Sequence, residues 1–130
     1  MARWLIDGMN EIGSRPDGWW RDRDGAVVAL VRRLTDWASA TGEKVTVVFD
    51  GKRPSRLAAG AEDGITVVFA GRGTSADDVI ARRAAADPDP GSLLVVTSDA
   101  ELAARVRAAG ASVVGSGTFR HRLDAAKADT

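Results

Sequence analysis

The sequence predicts an α/β fold built on a central, mainly parallel sheet of about five strands, and two observations carry that prediction. Short apolar runs alternate along the chain with segments of helical periodicity. The strongest runs, Val45-Thr46-Val47-Val48-Phe49 and Leu93-Leu94-Val95-Val96, are nearly continuous in apolar residues, as suits strands covered on both faces. Right-handed crossovers then place helices on both sides of the sheet.

Each element follows in order. Arg3-Trp4-Leu5-Ile6 reads as a short buried strand. Gly8 to Trp20, with two further glycines, a proline and mixed charges, reads as a loop. From about Asp24 to Ala40 a helical stripe runs through Val27, Leu30, Val31, Leu34, Trp37 and Ala38, and Gly42 ends it. Val45 to Phe49 is the second strand, followed by an Asp50-Gly51 turn, and Ile65 to Phe69 is the third. Gly71 and Gly73 open a loop before a helix over Ala76–Ala86, which Pro88 and Pro90 terminate. Ser92 to Val96 is the fourth strand, Glu101 to Ala109 a helix closed by Gly110, Ala111 to Val114 a fifth strand, and Thr118 to Lys127 a last helix before a fraying tail.

The 130 residues read as one domain, 1–130, with no internal repeat and no low-complexity linker. A balance of 45% hydrophobic and 28% charged residues is that of an ordinary globular chain able to bury its own core. Without cysteine there is no disulfide framework. No run approaches the roughly 18–20 apolar residues of a membrane span, and the apolar stretch ending at Asp7 is short for a signal peptide. The expectation is a soluble, cytoplasmic protein without membrane contact. Net charge is zero, so composition alone does not announce a nucleic-acid partner.

The placement of the aspartates is more informative. Asp7 follows the first strand, Asp50 the second and Asp99 the fourth, while Asp77 and Asp78 open the helix after the third. A parallel sheet brings all strand C-termini to one edge, where open α/β sheets bind ligands. Carboxylates gathered there take up protons or bind a cation. An all-oxygen set with no thiol, and with the single histidine His121 far along the chain, favours Mg²⁺ or Mn²⁺ over zinc. Such ions serve phosphoryl chemistry, which makes a phosphodiester a natural substrate. Each acid also has a plainer reading. Ser98-x-x-Glu101 and Ser75-x-x-Asp78 are capping-box patterns, and Asp50-Gly51 is a turn. Capping does not account for acids after all four main strands.

Four segments, Leu5-Ile6-Asp7-Gly8-Met9-Asn10, Val48-Phe49-Asp50-Gly51, Gly73-Thr74-Ser75-Ala76-Asp77-Asp78 and Val96-Thr97-Ser98-Asp99, resemble in order and spacing the NYN domains of the PIN-like nuclease superfamily, especially their YacP-like branch. The likeness spans roughly residues 3 to 115. It implies a PIN-like three-layer αβα fold and a metal-dependent ribonuclease, in which metal-activated water attacks a phosphodiester in line and leaves a 5′-phosphate and a 3′-hydroxyl. By that resemblance Asp7, Asp77 and Asp99 are the core metal-site acids, and Asn10 holds the first loop or a metal-bound water. Asp50 and Asp78 are secondary members and Ser98 supports the site. The implied cofactor is Mg²⁺ or Mn²⁺. The implied partner is RNA (mRNA, tRNA or rRNA, with the ribosome as a further candidate), and the protein acts as monomer or homodimer. The chain looks shorter at its C-terminus than many YacP-like proteins, so RNA- or ribosome-contacting parts carried there are expected to be missing.

Lys52, Arg53, Arg56, Arg72 and Arg15 lie in loops or element ends and are the expected phosphate contacts, Lys52-Arg53-Pro54-Ser55-Arg56 above all. Trp19-Trp20 either covers the start of the next helix or stacks on unpaired bases, and packing is the preferred reading. Gly71-Arg72-Gly73 lacks the spacing of a dinucleotide or P-loop fingerprint. Met9 stands where a phosphatase of the haloacid dehalogenase type carries its second aspartate, which disfavours an aspartyl-phosphate route. A binding module for RNA or the ribosome with little catalysis stays open as the alternative.

Overall fold

The computed structural model describes residues 2–57 and 64–128, with side chains as far as residue 126. Five parallel strands, β1 (Arg3–Asp7), β2 (Lys44–Phe49), β3 (Ile65–Phe69), β4 (Leu93–Val96) and β5 (Ser112–Val114), form one sheet in the order β3-β2-β1-β4-β5. The chain therefore winds outward from β1 to β3, returns to β4 on the other side of β1, and continues to β5. The direction reverses at the β1–β4 seam, where ligands bind in open sheets of this kind.

The two-residue period of the strands sorts the core into two slabs. Trp4 and Ile6 of β1, Val45, Val47 and Phe49 of β2, and Val96 of β4 face one way. They pack against Val27, Leu30, Val31, Leu34 and Trp37 of α2 (Arg23–Thr41) and Phe119 and Leu123 of α5 (Ser116–Ala128). Leu5, Val48, Leu93 and Val95 face the other way, onto Ala76, Ile80 and Ala84 of α3 (Ala76–Ala86) and Leu102 and Val106 of α4 (Ala100–Ala108). Helix, sheet and helix thus form three layers, as the sequence predicts. Trp4, Trp37 and Phe119 meet in a mutual triangle of rings, with centroids 5.2–5.4 Å apart, that joins β1, α2 and α5. Trp4 and Trp37 are core residues, as expected.

Capping sets the helix ends. The Asp22 carboxylate accepts from the Gly25 N–H at the start of α2, and Gly42 closes it at φ +75°. Pro90 opens a 3-10 turn over Pro90–Ser92, so β4 begins at Leu93, where the apolar run begins, and Ser92 belongs to the turn and not to the expected strand. The expected fraying of the tail falls at its end on residues 129 and 130, outside the described ones.

One segment differs in kind from the sequence expectation. Residues 8–13 are not loop: Gly8–Gly13 forms a short helix, α1, and Trp19–Arg21 a 3-10 turn. The glycines that suggest a loop serve another purpose. A Cβ on Gly8 would sit 2.4 Å from Cδ1 of Phe49, whose ring is fully buried. Gly8 is therefore a point of close helix–strand approach, and Ile12 on the same helix enters the core. Gly8→Ala must displace the Phe49 ring. We expect a loss of stability of about 1–3 kcal/mol, read from the urea midpoint, with the far-ultraviolet circular dichroism unchanged at low denaturant.

Candidate active site

The acids reach the carboxyl edge of the sheet from separate elements. Asp7 ends β1, caps α1, and is 4% exposed. Its Oδ1 accepts from the Asn10 N–H at 3.5 Å and its Oδ2 from the Thr97 hydroxyl at 3.0 Å across the β1–β4 seam. Asp99 caps α4 through the Leu102 N–H at 2.9 Å, and its own N–H donates to Thr97 Oγ1 at 3.1 Å. Thr97 thus couples two of the predicted acids. Asp50, just past β2, accepts from the Ala76 N–H at 2.8 Å and so ties the end of β2 to the start of α3. Asp77 lies in the first turn of that helix.

Electrostatics shows which of these charges meet. Burial pushes Asp7 up to about 6; the Thr97 hydrogen bond opposes the shift, while Asp77 and Asp50 add to it. Asp77 is raised by partial burial first, then by Asp99 and Asp50, against a smaller opposing pull from Arg105. Asp77 thus acts on Asp7 and is acted on by Asp99, while Asp50 acts on both Asp7 and Asp77. Asp78 also raises Asp77 a little, but its carboxylate is exposed and paired with Arg105 of α4 at 3.0 Å. Ser75 caps α3 by accepting from the Asp78 N–H, which completes half of the predicted capping box. At α4 the cap is Asp99, one residue after Ser98.

Ser98 and Asn10 are fastening residues. Asn10 Oδ1 accepts from the Ser98 N–H at 2.8 Å and from the Ser116 hydroxyl. Ser98 Oγ accepts from the Ser116 N–H at 2.9 Å. This triangle locks α1, the loop after β4 and the start of α5 together beside the acids. Thr97 and Ser116, both buried, carry no assigned role in the sequence reading. Thr97 stands inside one of the four motifs, and its position between a strand end and a capping aspartate is the signal that could have found it.

The donor set fits a hard divalent cation: several carboxylate oxygens, no sulfur, and uncompensated negative charge. Among the described residues no three acidic or imidazole side chains are grouped closely enough to enclose such an ion.

The predicted phosphate contacts divide. The chain bridge between Gly51 and Gly71, with the Gly71 N–H donating to Gly51 O at 2.8 Å, holds the loops carrying Lys52, Arg53 and Arg72 beside Asp50. Lys52 and Arg72 are exposed, and the Arg53 guanidinium lies 5.2 Å from the Phe69 ring centroid. Arg56 is exposed and pairs with Asp22. Arg15 is turned to Asp124 of α5 at 2.8 Å. His121 is exposed, as expected.

Sequence reading also passes over Glu11, which is 1% exposed on α1. Its Oε2 accepts from the Ser14 hydroxyl at 3.3 Å, and its Oε1 is without a hydrogen-bond partner among the described residues. Burial raises it to about 7, against the Ser14 bond and the charges of Arg15 and Arg120.

Two predictions follow from these contacts. Folding favours protonated Asp7 and Glu11, so their contribution to stability is complete below their unfolded values near pH 4. It is lost as pH rises through about 6 for Asp7 and about 7 for Glu11. Glu11→Gln should flatten the profile of denaturation midpoint against pH and gain about 2 kcal/mol over wild type at neutral to mildly alkaline pH; an unchanged profile would contradict the assignment. Thr97→Val removes the donor that holds Asp7 down. The Asp7 carboxyl, followed by carbon-13 NMR, should then titrate above its wild-type value of about 6.

A profile for the YacP-like NYN domain matches residues 4–130. The crystal structure of Rae1 (YacP) from Bacillus subtilis superposes with a TM-score of 0.83 at 23% identity, covering 99% of this chain and 77% of that one. A tryptophan-to-leucine mutant of the same protein gives 0.82 at 23% identity, covering 99% and 79%. At that identity the likeness is one of fold. No curated protein matches the chain. Among the described residues no helix is long and apolar enough to cross a membrane.

Proposed function

The chain belongs to the YacP-like NYN family, and on that footing we propose that it is a Mg²⁺- or Mn²⁺-dependent ribonuclease, acting as an endoribonuclease, with its site at the acidic edge beside the β1–β4 seam. Family membership supports the coarser statement, a nuclease-type function on RNA. The observation that supports the finer one is the convergence of acids from separate strand ends: Asp7 and Asp77 are raised first by burial, and then by neighbouring carboxylates, Asp77 and Asp50 for the one and Asp99 and Asp50 for the other. Repelling carboxylates cost stability, and a divalent cation relieves that cost.

Asp7, Asp77 and Asp99 would hold the cation, with Asp50 and Asp78 outside them. Bound there, the cation would supply a more acidic water and neutralise charge on the phosphoryl group. The chain's own residues do the remaining work. Thr97 fixes the orientation of Asp7 and of the Asp99 backbone. Asn10, Ser98 and Ser116 hold the loops rigid around them. Lys52, Arg53 and Arg72 offer positive charge to phosphates flanking the scissile one.

A second reading, an RNA-binding module with little catalysis, is favoured by one observation: no three of the described acidic side chains are grouped closely enough to hold a cation together. RNA cleavage with Mg²⁺ or Mn²⁺, against EDTA, separates the two. We expect cation-dependent cleavage by wild type and a fall of roughly 100-fold or more in Asp99→Asn and Asp77→Asn. Asp78→Asn should stay within a few-fold, because its carboxylate faces Arg105. Asparagine at position 99 keeps the helix cap, so the fold should persist. Equal cleavage by Asp99→Asn would remove that residue from the site, and binding without cleavage would establish the second reading.

A further inference from the structure

The Trp19-Trp20 pair is split by the fold. Trp19 is half-buried and packs against the core slab under α2, which is the expected packing role. Trp20 is 63% exposed, the large apolar side chain left open to solvent among the described residues. One exposed ring needs no explanation by itself. Its surroundings set this one apart.

The ring is presented by an ordered segment. Gly18, at φ +73°, starts the 3-10 turn, which is closed by Arg21 N–H to Gly18 O at 3.0 Å and Asp22 N–H to Trp19 O at 3.1 Å. Trp19 meets Trp20 edge to face at 6.1 Å and holds it from the core side. Immediately downstream, Asp22 pairs with Arg56, and Arg23 donates to the Asp50 carbonyl at 2.9 Å. Trp20 is three residues from Arg23, so the backbone between them spans at most about 11 Å. The indole therefore stands within a few nucleotides' reach of Asp50, whose carboxylate acts on Asp7 and Asp77.

Its chemistry is that of a base platform. The Arg21 guanidinium lies 5.8 Å from the Trp20 ring centroid. An exposed aromatic ring with an arginine over it suits a base on a polyanion, the base taking ring surface and the guanidinium a phosphate. A protein partner would call for a wider apolar patch. Bases in a duplex are already stacked, so the occupant is single-stranded.

We propose that Trp20 stacks on an unpaired base of single-stranded RNA and so sets the register of the strand reaching the acidic edge. The register rests on the ribonuclease reading; the stacking itself does not.

Binding in EDTA isolates the contact from cleavage. The probes are a fluorescein-labelled short oligouridylate, the same backbone without bases, and an RNA duplex, read by anisotropy. Wild type should favour the oligouridylate over both other probes. Trp20→Ala should weaken oligouridylate binding about ten-fold and leave the base-free strand unchanged, while Trp20→Phe retains most of the affinity. Under cleavage conditions Trp20→Ala should raise KM more than it lowers kcat. The exposed position means that thermal unfolding of both variants should match wild type. Equal binding of the oligouridylate by Trp20→Ala, equal binding of base-containing and base-free strands by wild type, or no binding by wild type would each overturn the proposal. Trp20-dependent binding by a wild type that cuts no RNA would uphold the platform and overturn the ribonuclease reading, so the two failures are distinct.

Discussion

A buried hydrogen bond across the β1–β4 seam organises the acidic edge: the Thr97 hydroxyl donates to the Asp7 carboxylate and accepts from the Asp99 N–H. The seam is where the winding of the sheet reverses, so the crossover helices diverge and leave an opening above it. A carboxylate buried there is costly unless something favours its charge. Thr97 supplies part of that, and the rest of the site is arranged around the remainder.

The remaining charges are shared between scaffold and opening. Asp7, Asp50 and Asp99 each accept a backbone N–H near the start of a helix, where the macrodipole favours negative charge. These partners steady each side chain without cancelling the repulsion between them. Arg105 relieves Asp77 slightly but spends its hydrogen bond on Asp78. Glu11 has a different character. It faces Ser14, Arg15, Arg120 and Asp124 on the α1–α5 side and belongs to the packing of those helices.

Much of this was legible in the residues. Continuous apolar strands and a helical stripe define the layers, and aspartates after successive strands mark the acidic edge, because parallel topology turns sequence position into spatial position. The exceptions share a cause. Gly8 looks like a loop signal but marks contact with Phe49, which pattern alone does not reveal. The roles of Thr97 and Ser116 arise from hydroxyl pairings across elements, which need the register of β1 on β4 and the docking of α5. Arg15 reads as an exposed loop cation, yet its partner Asp124 lies at the far end of the chain. Neighbouring Asp77 and Asp78 differ only in the face of α3 each occupies, which the structure resolves through Arg105.

The double employment of the acids has an evolutionary consequence. The single acceptor oxygen that Asp50 and Asp99 each offer to a helix end is one an asparagine would also carry, whereas Asp7 uses both of its oxygens. A single base change in the gene can thus erase a negative charge while sparing the architecture.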